Sequence, residues 1–207
     1  MFLILDFTRN MNMALVTNNQ FFYKKRSAQN QISELLINDI EKFILSSKRK
    51  LEDLTAIYVI TGPGSFTGVR SALTYAKVLK LTLQIKVFGV SKFEILNNIA
   101  KLDNRKNKYI IIQNKEKDFF IQNFNFNNPS GPPHLSNFDQ DILKLKKDST
   151  IICDSENFRV KFSKKGSSTT QRNVNYVKYN LKILSRILIN IKEFKNDPKP
   201  LYISNYY

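Results

Sequence analysis

The chain has 207 residues, 42% of them hydrophobic, and carries a formal charge of +16 with a pI near 9.8. That length can bury a real core, in one domain or two modest lobes, and no apolar run approaches the ~20 residues that span a bilayer. One cysteine, Cys153, excludes an internal disulfide and fits a reducing cytoplasm.

The opening Met1-Phe2-Leu3-Ile4-Leu5 is stopped by Asp6 and lacks a basic flank or a small-residue cleavage site, so it reads as a first strand over 2–5 rather than a signal peptide. A turn over Asp6 to Asn10 leads to a second strand near Met13 to Thr17. The turn signal Asn18-Asn19 then leads to a third strand, Phe21-Phe22-Tyr23. Residues 28–47 read as a helix with Ile32, Leu35, Leu36, Ile40, Phe43 and Ile44 on one stripe. After a basic linker and Asp53, the run Ala56-Ile57-Tyr58-Val59-Ile60 is β-branched, aromatic and apolar, as in a buried strand.

The stretch Thr61 to Arg70, TGPGSFTGVR, holds three of the chain's six glycines: Gly62, Gly64 and Gly68. Beyond it Val69, Ala72, Leu73, Ala76, Leu79 and Leu83 recur at helical spacing, predicting a helix over 67–83. The stretch is therefore a strand-to-helix turn in which glycine admits special backbone shapes and close approach. Pro63 stiffens it, and Ser65 or Thr67 is placed to cap the helix. A glycine-rich turn opening a helix can hold an anion, but a P-loop needs a lysine where Val69 stands, and the dinucleotide fingerprint needs a third glycine where Thr67 stands. A nucleophile elbow fails on spacing, because no residue separates Gly64 from Ser65. Tight packing of the turn outweighs phosphate binding. The helix that follows is apolar nearly all round, with Val78 and Leu81 off its main stripe, so it calls for cover on several faces. Central burial and a subunit interface both answer that need.

A strand Ile85 to Val90 and a helix Lys92 to Ala100 complete this first half. Beyond Leu102 the composition turns to Asn, Lys and Phe. Tyr109 to Ile112 and Phe119 to Phe126 read as strands joined by a polar turn, Asn114 to Asp118, with the alternation of a half-exposed sheet. Asn127 to Asn137 reads as a loop, Thr150 to Cys153 as a short strand, Ser163 to Gln171 as polar and mobile, and Tyr176 to Phe194 as a closing helix carrying Leu181, Leu184, Leu188 and Ile191. The recurring β-β-β-α order suggests two related lobes.

The positive charge fits a polyanion partner. It also fits the drift of an AT-rich coding sequence, since Lys, Asn, Ile and Phe abound everywhere. Drift weighs more, because the basic runs (Lys24-Lys25-Arg26, Lys48-Arg49-Lys50, Lys144 to Lys147, Lys164-Lys165) are scattered and hold no aromatic platform. His134 is the only histidine and Cys153 the only cysteine, so no zinc constellation or nucleophile triad is in view. His134 reads as a loop residue and Cys153 as a small core residue.

The nine residues GPGSFTGVR, between a strand and a helix, resemble the signature of the TsaB (YeaZ) family of bacterial tRNA-modification proteins. Leu3-Ile4-Leu5-Asp6-Phe7-Thr8 resembles its opening strand and turn, Phe88-Gly89-Val90-Ser91 its G-V-S segment, and Pro200-Leu201-Tyr202-Ile203 its C-terminal P-x-Y motif. The resemblance implies an α/β actin-like ATPase (ASKHA, ribonuclease H-like) fold of two related lobes. These lobes are a residue 1–100 lobe with the glycine-rich turn and partner-binding helices, and a smaller, degenerate 101–207 lobe with the closing helix. It also implies a non-catalytic cytoplasmic scaffold that binds the catalytic subunit TsaD as a heterodimer, works with the ATPase TsaE, and meets tRNA through the complex. TsaC supplies the threonylcarbamoyl adenylate. A homodimer forms in the partner's absence under one variant of this reading, and ATP and metal belong to the partner subunits.

Gln31, Ile32, Leu35, Phe66, Arg70 and Leu73 are then the interface candidates, on helices 28–47 and 67–83. Two departures from the family pattern stand out: Gln31 occupies a position where a histidine is usual, and Gln113-Asn114-Lys115 replaces an Asp-Ala-Arg-like segment. The H-x-x-x-H pair of the catalytic subunit is missing. The rivals are an ATP-binding enzyme using Asp6, Thr8, Gly62 and Gly64 on phosphate, and a basic RNA-binding module. A glycoprotease-like peptidase is weaker than either, since it lacks metal ligands and a nucleophile triad.

Overall fold

The computed structural model describes residues 1–27, 32–100, 107–114, 117–126, 128–141, 145–146, 149–165, 173–177, 180–190 and 197–203; for 32–35, 140, 164–165 and 189–190 it gives the backbone path. Two compact units emerge, Met1–Ser91 with Asn180–Tyr202, and Lys92–Tyr179 with Ile203–Tyr207. The division placed at residue 100 from the sequence follows the chain, whereas the units do not. The last long helix joins the first unit because its leucine stripe meets that unit's sheet.

In the first unit, β1 (Phe2–Asp6), β2 (Met11–Val16) and β3 (Phe21–Arg26) form an antiparallel meander. The helix α1 (Ile32–Ser46) then leads to β4 (Ala56–Ile60), α2 (Phe66–Leu83) and β5 (Lys86–Val90). The strand order is β3-β2-β1-β4-β5, with β1, β4 and β5 parallel. Parallel neighbours need a crossover, and α2 supplies the one between β4 and β5. Register places Leu15, Leu3, Ile57 and Val87 in one row across four strands, and Met13, Leu5 and Val59 in the next such row. Alternation sends these residues to a single face, where they pack with Leu36, Ile40, Phe43 and Ile44 of α1 and Val69, Ala72, Leu73, Ala76 and Leu79 of α2. On the other face Ile4, Tyr58 and Phe88 align, the last two rings stacked with centroids 5.2 Å apart. The helix α6 (Leu181–Asn190) buries Leu181, Leu184 and Leu188, at the spacing of one helical face, and lies against β2.

The second unit holds α3 (Lys92–Ile99), β6 (Asn107–Gln113), β7 (Asp118–Asn125), β8 (Asn128–Pro129), β9 (His134–Asn137), the short α4 (Phe138–Asp141), β10 (Thr150–Cys153), α5 (Glu156–Lys165) and β11 (Asn173–Tyr176). Its sheet runs β11-β10-β6-β7-β8, with β9 also paired to β7. β6 and β7 are antiparallel, while β6, β10 and β11 are parallel. That order repeats the first sheet, so β6 answers to β1, β7 to β2, β10 to β4 and β11 to β5. The two related lobes expected from the β-β-β-α recurrence are present. A Phe-rich core joins Ile111, Ile121 and Ile151 to Phe119, Phe138, Phe158 and Phe162, with the Phe158 ring edge-on to Phe119 and Phe138 at 5.5 and 5.4 Å.

Several elements differ from expectation. The loop expected over 127–137 contains β8 and β9, held by pairing to β7 rather than by any alternation of their own. Residues 163–165 belong to α5, whose Phe158 and Phe162 bury on the core one turn apart. Tyr176 ends β11, and the closing helix begins at Leu181; its expected end at Phe194 lies outside the described residues. Among the described residues no helix is long and apolar enough to cross a membrane.

Candidate interaction site

The family-like segments of the sequence meet at one end of the first sheet. β1 ends at Asp6, whose buried carboxylate accepts from the Thr8 main-chain N–H at 3.1 Å and from the Thr8 hydroxyl at 2.6 Å. This closes the turn on itself. β4 lies beside β1 in parallel, so the glycine-rich turn emerges next to it. There the Ser65 N–H donates to the Thr8 carbonyl at 2.7 Å. A Cβ on Gly64 would run into the Thr8 main chain, and one on Gly68 into the Phe7 carbonyl. These glycines serve close packing of one turn on the other. Gly62 has φ +120°, a region that disfavours side chains, and its Cβ position lies 3.1 Å from the Leu201 carbonyl oxygen. Ser65, not Thr67, caps α2, its hydroxyl accepting from the Gly68 N–H at 3.2 Å.

The C-terminal segment seals the same place. The Leu201 N–H donates to the Thr61 carbonyl at 2.8 Å. Gly89 of β5 leaves room for Pro198, which a Cβ there would strike. Lys77 of α2 pairs with Asp197 at 3.7 Å. At the other end of this segment the Tyr202 ring lies on Phe66, with centroids 4.9 Å apart. The Arg70 guanidinium sits 4.3 Å from the Phe66 centroid and 5.8 Å from that of Tyr202. The segment 197–202 thus runs along α2 from Lys77 back to Phe66.

The second unit repeats the plan in polar form. The Gln113 N–H donates to the Asp154 carboxylate at 2.8 Å, tying the turn after β6 to the turn after β10, and Ser155 caps α5 by accepting from the Phe158 N–H at 3.3 Å.

Of the interface candidates, Phe66 is 54% exposed and Arg70 is exposed as well. Leu73 is 3% exposed and belongs to the core under α2, so its replacement would test folding rather than docking. Gln31 lies outside the described residues, as do the side chains of Ile32 and Leu35. The sequence reading passed over Ile37 and Leu45, exposed one turn either side of Glu41 on α1. It noted Val78 and Leu81, which are exposed on α2, without making them interface candidates. Glu41 of α1 acts on Tyr75 of α2. Burial first, then Glu41, pushes the Tyr75 hydroxyl up to about 12, and its oxygen is buried without a hydrogen-bond partner among the described residues. Tyr202 was missed as well. Its signal lay in the C-terminal motif itself, an exposed tyrosine beside two prolines.

His134 is exposed at the start of β9. Cys153 is buried, and that burial pushes its thiol up to about 11. Among the described residues no group of three or more His, Cys, Asp or Glu could hold a metal.

Residues 22–112, under half of the chain, match the family described as tRNA N6-adenosine threonylcarbamoyltransferase, TsaD. The tRNA threonylcarbamoyladenosine biosynthesis protein TsaB of Buchnera aphidicola subsp. Schizaphis graminum is 35% identical over 75 residues, which make up 36% of this chain and 36% of that protein. The matched segment is thus well short of the relative's full length. YeaZ from Pseudomonas aeruginosa superposes with a TM-score of 0.67 over 98% of this chain and 99% of that one, at 17% identity. A Bacteroides thetaiotaomicron protein of actin-like ATPase fold superposes at 0.55 over 90% of this chain and 94% of that one, at 8% identity. The fold is therefore the two-lobed actin-like one. The chain is thus similar to TsaB over a segment of its sequence and to YeaZ in fold over nearly its whole length.

Proposed function

We propose that this protein is a non-catalytic scaffold subunit of the machinery that makes threonylcarbamoyladenosine in tRNA, binding a TsaD-like catalytic subunit and holding it in an active arrangement. The observation that carries the reading is the outer surface of α1 and α2. Ile37 and Leu45 of α1 and Val78 and Leu81 of α2 stand exposed, with Leu81 at 79%. A helix pair that covers its own sheet with one side and offers apolar side chains on the other is suited to a partner helix pair. The non-catalytic part draws support from the packing of the glycine-rich turn. The Asp6 carboxylate accepts from Thr8 and Gly64 lies against the Thr8 main chain, so both groups serve the packing of the two turns. In this reading ATP and metal reside on the partner subunits, a TsaE-like ATPase joins them, tRNA is met through the complex, and the assembly works in the cytoplasm.

Reconstitution tests the role. Threonylcarbamoyladenosine formation on tRNA is measured with the TsaC, TsaD and TsaE homologues of the same genome, with and without this chain. Formation falling to background on omission is the expected result, and full formation without the chain contradicts it. Calorimetry of the isolated chain with Mg-ATP tests the pseudo-enzyme half. No binding heat is expected, and saturable binding would bring the ATP-binding reading forward.

A further inference from the structure

Arg70 stands out among the exposed cations. Its guanidinium lies over the Phe66 ring and near the Tyr202 ring, and among the described residues it has neither an ion-pair nor a hydrogen-bond partner. Stacking on rings holds a guanidinium by its face and leaves the in-plane N–H donors pointing outward. Such a fork is already oriented, so a bound anion loses less side-chain freedom in meeting it. Both rings beside it are half-exposed, Phe66 54% and Tyr202 49%. Lys77, on the same stripe of α2, is already paired with Asp197, and Lys199 is exposed on the C-terminal segment.

We propose that Phe66, Arg70 and Tyr202 form a clamp for a carboxylate-bearing segment of the protein partner. The proposal rests on the scaffold reading and names the chemistry of one contact within it. An arginine flanked by aromatic rings is the composition of a protein–protein hot spot, and the planar fork matches a carboxylate by two parallel hydrogen bonds. Nucleic acid fits less well. Phe66 already carries Arg70 and Tyr202 on its ring, so the stacking surface a base requires is in use. The positive charge of the chain favours an acidic segment over a neutral one. Because Tyr202 comes from the C-terminal segment and the other two from α2, the clamp exists only when that segment is strapped along the helix.

Binding of the TsaD homologue from the same genome is measured by calorimetry, at low and high salt, for the wild-type chain and for Arg70→Ala, Arg70→Lys and Tyr202→Ala, each checked for an unchanged melting curve. Arg70→Ala and Tyr202→Ala are expected to weaken binding by about tenfold or more. Arg70→Lys should remain weakened, since an ammonium lacks the planar fork, and Arg70→Ala should lose part of the wild-type salt dependence. Wild-type binding with all three variants within about twofold of it overturns the clamp and leaves the scaffold reading standing. Full recovery by Arg70→Lys also overturns it, as a point charge would then suffice. Loss of tRNA affinity in Arg70→Ala with pairing unchanged assigns the arginine to phosphate instead. Absence of wild-type pairing removes the scaffold reading and the clamp together.

Discussion

Gly64 and Gly68 are placed by neighbours far away in the sequence, the main chain of Thr8 and the carbonyl of Phe7. A methyl group at Gly68 must push two chain segments apart, and overpacking of this kind costs about 1–3 kcal/mol. Gly68→Ala should therefore lower the urea midpoint at unchanged slope, and an unchanged midpoint would refute the close approach. Tyr75 gives a pH prediction. Burial, then Glu41, pushes its hydroxyl up to about 12 in the fold, against 10.0 for a free tyrosine. Between those values the unfolded chain sheds a proton that the folded chain keeps, so the stability present below the lower value falls as pH rises toward the upper one. Tyr75→Phe should flatten that alkaline decline in a denaturation series, and an equally steep decline would show that Tyr75 does not drive it. At this scale the sequence told that the glycines matter but not what they touch. Spacing identifies a turn, whereas the Cβ-free contacts with Phe7 and Thr8 arise from the parallel pairing of β1 with β4.

The helices separate folding from docking. Leu73 is 3% and Leu81 79% exposed, though both are leucines of α2. Leu73→Asp buries a carboxylate in the core and should destabilise the fold by roughly 3–5 kcal/mol. Leu81→Asp should change stability by no more than about 0.5 kcal/mol while weakening association with the TsaD homologue. Chemical denaturation beside size-exclusion of the mixed proteins checks both, and a Leu81→Asp chain that pairs as well as wild type would move the interface off this face. The extent of α2 was readable because its apolar spacing is strong, and the structure adds only Phe66 at its start. The second unit was harder to read. α5 carries its core contacts on two phenylalanines among basic and polar residues, and β8 and β9 are strands because β7 pairs with them. Partner-dependent strands leave little periodic trace in their own sequence.

For the whole molecule, the repeated strand order makes a duplicated architecture, and its hint in the sequence was the recurring β-β-β-α order. The convergence of the opening strand, the glycine-rich turn, Gly89 and the C-terminal segment was not readable from any one of them. Thr61 bonds to Leu201 across most of the chain's length, and only the folded sheet brings them together. The first unit thereby presents α1, α2 and the segment 197–202 around a glycine-packed turn. The most direct test is co-purification of this chain with the TsaD homologue of the same genome, scored by size-exclusion mass. A stable one-to-one heterodimer is the predicted result. Two well-folded proteins that elute separately at every concentration tried would contradict the scaffold role, even with the fold intact.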